Sequence, residues 1–97
     1  MSELLEGWKE YHKYNGNEAW WEFKLTDHLS IIVEQYGQTD SGTFSLAYDI
    51  DVPPIEYRKI YIDRKCISNT LIEAHKLTWI YFSEIGVKAK LKYEEYK

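Results

Sequence analysis

The chain has 97 residues and a formal charge of −4, from 12 Lys+Arg against 16 Asp+Glu; 44% is hydrophobic and 16% aromatic. This composition fits one α+β domain over residues 1–97 with a single modest core. It argues against disorder and excludes collagen, coiled coil and disulfide scaffold. No apolar run approaches the ~18 residues of a membrane span. The N-terminus shows no basic stretch leading into an apolar one, so no secretory signal is expected. The lone Cys66 fits a reducing cytoplasm.

In chain order, residues 3–13 read as a helix. Ser2 is its cap, Glu3 and Glu6 stand in the first turn, and Leu4, Trp8 and Tyr11 form one stripe. Gly7 weakens that helix and Asn15-Gly16 ends it. Three strand signals follow. Residues 18–25 place Ala19, Trp21, Phe23 and Leu25 on one face, and residues 29–36 do the same with Leu29, Ile31 and Val33. In residues 43–50, Phe44, Leu46, Tyr48 and Ile50 alternate with polar or small residues. Residues 26–28 and 37–42 read as turns, and Pro53-Pro54 ends pairing. Residues 57–65 read as a fourth strand, with Ile60 and Ile62 inward.

Residues 71–85 fit a helix with a capping box at Thr70–Glu73. Leu71, Ala74, Thr78, Phe82 and Ile85 lie on one side, and Gly86 is the stop. Residues 77–82, LTWIYF, are strand-like by propensity, which is the alternative there. Residues 87–93 alternate again, with Lys88, Lys90 and Lys92 outward, and read as the last strand. The expected order is αββββαβ: a mostly antiparallel four- to five-stranded sheet with two helices on one face.

Alternation then predicts an open sheet face bearing Trp20, Glu22, Lys24, Ile32, Glu34, Tyr36, Asp49, Tyr57, Lys59, Tyr61, Asp63, Lys88, Lys90 and Lys92. Clustered Trp and Tyr on such a face mark a contact surface; the plainer reading is that the rings pair across strands and stabilise the sheet. Ile80 falls in the polar face of the predicted helix, which also points to contact. Residues 1–56 hold 11 acids and 3 bases, net −8, whereas residues 57–97 hold 5 acids and 9 bases, net +4. These halves either compensate each other in the fold or form separate surfaces.

Signals for catalysis are sparse. Cys66 follows Arg64-Lys65 before a helix start, a setting that lowers a thiol pKa, but no motif brings His12, His28 or His75 to it. Histidine and cysteine spacing matches no zinc site. Asp49 and Asp51, with Asp40 and Glu56, could gather a divalent ion, but no glycine-centred loop accompanies them. No phosphate-cradling glycine loop is present. The expectation is therefore a non-enzymatic, cytoplasmic domain without metal or cofactor that binds a protein with a basic surface. Its contact residues would be Trp20, Glu22, Glu34, Tyr36, Asp49, Asp51, Tyr57 and Tyr61. By general type, small acidic domains like this serve as inhibitors or immunity proteins of phages and mobile elements, occluding nucleic-acid-handling partners. The alternative is a single-stranded nucleic-acid module using Lys59, Lys88, Lys90 and Lys92 with the tyrosines.

Overall fold

Gly7 adopts φ +89°, a left-handed conformation that no helix interior accepts. The chain therefore enters a strand at Trp8, and the predicted helix over residues 3–13 is absent from the described part. The computed structural model describes residues 5–12, 18–49 and 52–95, with side chains through residue 84. Five strands are present there: β1 Trp8–His12, β2 Ala19–Lys24, β3 Ser30–Gln35, β4 Ser41–Ala47 and β5 Glu56–Tyr61. One helix follows, α1 Ile67–Glu95. The order is thus βββββα among the described residues, with one helix in place of the expected two.

The sheet is an antiparallel meander in sequence order, β1-β2-β3-β4-β5. Register puts Trp8, Phe23, Ile31 and Leu46 in one row, and Glu10, Trp21, Val33 and Phe44 in the next. Both rows face α1, which crosses the sheet over β3. Ile67, Leu71, Ala74 and Thr78 recur at helical spacing and are buried against these rows. Each fully buried Leu, Ile or Phe contributes about 1.5–3 kcal/mol. The buried Thr78 hydroxyl donates to the Ala74 carbonyl within its own helix.

The helix starts earlier and ends later than its sequence signals suggest. β5 stops at Tyr61, short of the predicted residue 65, because Asp63 turns the chain. Its Oδ1 accepts the backbone N–H groups of Lys65 and Cys66 at 3.1 Å each. Thr70 therefore lies inside the first turn of α1 and is not its cap; its buried hydroxyl accepts the Asp63 N–H at 2.7 Å. LTWIYF is helical. Gly86 does not stop the helix, and residues 87–93 are helical, so the predicted last strand does not exist. Lys, Ala, Leu and Glu are strong helix formers, and one glycine costs only about 1 kcal/mol against them.

Tight sites fix the hairpins. A Cβ on Gly42 would collide with the Glu34 carbonyl oxygen and lie 2.8 Å from the Ile62 side chain, so Ile62 packs directly on that glycine. Between β3 and β4, the Thr39 hydroxyl donates to the Tyr36 carbonyl at 2.8 Å. Arg64 then pairs with Asp40 at 3.2 Å, binding the helix-side turn to the β3–β4 hairpin.

Candidate functional site

The face of the sheet away from α1 follows from the same register. One row runs Lys9, Glu22, Ile32, Ser45, Tyr57; the next runs Tyr11, Trp20, Glu34, Thr43, Lys59. Lys24, Ser30 and Ala47 form a third row, and Ser41 pairs with Tyr61. The face thus gathers Trp20, Glu22, Glu34, Tyr57, Lys59 and Tyr61, with Tyr36 joining them from the end of β3.

Its rings are organised. Tyr11 and Trp20 stack with centroids 5.1 Å apart and planes 10° apart. The Tyr36 and Tyr57 hydroxyls meet at 2.7 Å. This phenol pair lies over Thr43, whose hydroxyl also bonds Tyr57 and which is only 2% exposed. Tyr57 itself is 57% exposed. Its bond with Tyr36 raises its pKa above the usual tyrosine value, helped by desolvation and by the negative charge of Glu34 nearby. At the other end of the face, Ser30 donates to Glu22 at 3.2 Å. A small cleft of about 90 Å³ there is lined by Glu22, Lys24, His28 and Asp49 among others.

Several expected residues fall elsewhere. Tyr48, expected inward, is exposed, because β4 ends at Ala47. Asp63 leaves the face to shape the turn before α1. Asp51 and Ile50 lie outside the described residues. Lys88, Lys90 and Lys92 belong to α1, where alternate residues cannot form one sheet face; their side chains also lie outside the described residues. Of the four lysines of the nucleic-acid expectation, Lys59 alone is on the sheet.

Among the described residues the two charge halves meet in the fold, through Lys59 in the row of Glu34 and through two ion pairs. Lys9, Lys24 and Lys59 share the open side with Glu22 and Glu34, while Glu10 and Glu56 stand in the helix-side rows. Glu56 pairs with Arg58 at 2.6 Å and Asp40 with Arg64. Glu10 accepts the Trp21 indole N–H at 2.7 Å beside a cleft of about 430 Å³ that also includes Gln35, Gln38 and Arg64.

Cys66 stands just before α1 with Sγ 3.1 Å from the Ser68 hydroxyl, and His75 packs with Trp8 and Phe23. Among the described residues no group of three His, Cys, Asp or Glu could hold a metal ion, and no helix is long and apolar enough to cross a membrane. Sequence reasoning misses Tyr11 on the open face because its spacing from Trp8 suits a helix. It also misses Trp79, which is 68% exposed on the outer side of α1 near Ile72 and Ile80. The signal is there in the spacing: Ile72, Lys76 and Trp79 follow the i, i+4, i+7 rule on a stripe turned away from the buried Leu71, Ala74 and Thr78.

No family model matches the chain, and no curated protein or solved structure matches it either.

Proposed function

We propose that the chain is a small non-enzymatic domain that binds another protein through its open sheet face and occludes that partner stoichiometrically, in the manner of an inhibitor or immunity protein. The observation that supports this most is the ring arrangement. Tyr11, Trp20, Tyr36, Tyr57 and Tyr61 share one face with the carboxylates of Glu22 and Glu34. Tyr and Trp bury large areas with few rotors and keep a polar handle, which makes them the usual anchors of protein contacts. Because lysines are interspersed with the acids, the reading rests on these local anchors. A partner with a basic contact residue is steered and held by Glu22 and Glu34.

The test is affinity capture from a lysate of the source cell, native mass spectrometry for stoichiometry, and hydroxyl-radical footprinting of the complex. Protection of Trp20 and Tyr57, with Trp79 still reactive, supports the reading. Protection of Trp79 alone moves the contact to α1 and refutes it.

A second reading has one observation in its favour: Lys59 lies between Tyr57 and Tyr61 on β5, a setting suited to a phosphate beside stacked bases. A strand crossing the rest of the face would pass Glu22 and Glu34, which repel phosphate. Fluorescence polarisation with labelled single-stranded DNA and RNA at low salt decides this, since such binding must fall steeply as salt rises.

A further inference from the structure

The outer edge of β5 is closed at both ends and open between them. Ile62 donates its N–H to the Asp40 carbonyl at 2.8 Å, which continues the β4–β5 register as a hydrogen-bonded pair. Bonding alternates along an antiparallel ladder. Glu56, Arg58 and Ile60 therefore turn their backbone groups to β4, and Tyr57, Lys59 and Tyr61 turn theirs outward. On either side of that outward run, α1 takes up a backbone group. The Tyr81 hydroxyl donates to the Ile55 carbonyl at 3.3 Å, and the Thr70 hydroxyl accepts the Asp63 N–H at 2.7 Å. Among the described residues no strand lies beyond β5, and no backbone hydrogen bond uses the outward groups of Tyr57, Lys59 or Tyr61. Beside them a cleft of about 460 Å³ runs between β5 and α1. One wall is the unbroken run of residues 58–61, and the other is Asn69, Glu73 and Leu77, one stripe of α1 at i, i+4, i+8. Each wall is about 12 Å long, room for about four extended residues.

We propose that this open stretch of β5 takes up an extended segment of a partner protein as a sixth strand, with an apolar side chain over Ile60 and Leu77 and a carboxylate beside Lys59. Free edge groups are a template for such pairing; the backbone bonds supply affinity and alternate side chains supply selectivity. Ile60 and Leu77 are partly buried beside the core, so a side chain entering the cleft has apolar surface to rest on. Successive side chains of a strand point to opposite faces. The residue paired with Lys59 therefore stands on the open side, and its neighbour enters the cleft. An acidic side chain there meets the ammonium and stays clear of Asp63 and Glu73, which line the cleft. A second copy fits less well. Pairing two β5 edges across a two-fold axis through this run sets Lys59 against its own copy, and like charges directly opposite destabilise a sheet. The cleft is on the helix side of the last strand, away from Trp20 on β2, so the proposal stands apart from the open-face reading.

The experiment is an NMR titration of the ¹⁵N-labelled whole chain with the blocked peptide acetyl-Thr-Val-Asp-Val-Thr-amide, reading exchange of backbone amides with solvent. The peptide is expected to bind saturably at millimolar concentration. At about ten times its Kd, the amides of Tyr57, Lys59 and Tyr61 should exchange about tenfold more slowly. Those of Arg58 and Ile60 should not change, because β4 already holds them. N-methylation of the peptide's aspartate removes the N–H that faces Lys59 and should abolish binding. N-methylation of either valine, whose N–H points away, should leave binding within about twofold. Replacing the aspartate by lysine should weaken binding about fivefold, and Lys59→Glu should reverse that preference. No saturable binding, binding without protection of these three amides, equal binding by the two N-methylated forms, or a preference that Lys59→Glu leaves unchanged overturns the proposal. So does protection of the same amides in the free chain together with a dimer in sedimentation equilibrium, which assigns the edge to a second copy. The open-face reading fails separately, if a captured partner leaves Trp20 and Tyr57 unprotected in footprinting.

Discussion

The indole nitrogen of Trp8 donates to Nε2 of His75 across 3.1 Å, tying the first described strand to the N-terminal third of the helix. Trp8 is 5% exposed, so its N–H has left water and depends on this acceptor. The imidazole must be neutral, with its proton on Nδ1, to accept that bond. Replacing His75 by Leu keeps an apolar body but orphans the donor. A loss of about 1–3 kcal/mol in urea denaturation is expected. His75→Gln, which retains an acceptor, should recover part of it.

Gly7→Ala separates two readings of the N-terminal segment by sign. Within a helix, the change would stabilise the chain by about 1 kcal/mol. At φ +89°, with the added Cβ 2.5 Å from the Phe23 ring, it must instead destabilise. The backbone alone contributes about 1–2 kcal/mol to that loss, before the ring is displaced. A lowered urea midpoint is expected.

Two phenylalanines, Phe44 on β4 and Phe82 on α1, should differ. Phe44 is fully buried in the central rows, and Phe44→Ala should cost about 3–5 kcal/mol. Phe82 is only partly buried at the margin of the core, so Phe82→Ala should cost well under that. Gly86→Ala extends the comparison along α1. In a continuous helix it should raise stability and helical circular dichroism, by up to about 1 kcal/mol; as a left-handed helix stop it would do the reverse.

The phenol pair sets an alkaline titration. The raised pKa of Tyr57 means that the folded chain holds this proton more tightly than the unfolded chain, whose tyrosine titrates near 10.0. The associated stabilisation is complete below that value and is lost as pH rises through the higher folded pKa. With tyrosine ¹³C-labelled at Cζ, the Tyr57 resonance should titrate above the usual tyrosine value. Tyr36→Phe should bring it back toward the ordinary range, because the bond with Tyr36 is the largest cause of the shift.

The period-two stretches in the middle of the chain are legible because each has one apolar and one polar side: Ala19, Trp21 and Phe23, then Ile31 and Val33, then Phe44 and Leu46. They yield three strands and, with them, most residues of the open face. The two ends mislead for opposite reasons. Trp8 and Tyr11 satisfy helical spacing, yet the alternation of Trp8, Glu10 and His12 against Lys9 and Tyr11 is the pattern used, and Gly7 marks a backbone turn there. Residues 87–93 alternate lysine with apolar residues, yet their helix formers continue α1 through Gly86. The ring pairs Tyr11–Trp20 and Tyr36–Tyr57 depend on strand register and on a fifth strand at the beginning of the chain, so neither pairing can be read from local pattern.

The central claim, that the partner sits on the open face, is tested most directly by surface plasmon resonance of a captured partner against two tryptophan variants. Trp20→Ala removes a ring from the open face, and Trp79→Ala removes an exposed ring from the outer side of α1. With both variants shown to fold, Trp20→Ala is expected to speed dissociation and weaken binding by about 2 kcal/mol or more, with Trp79→Ala close to the parent. Parent-like binding by Trp20→Ala together with loss in Trp79→Ala would contradict the account and place the contact on the helix.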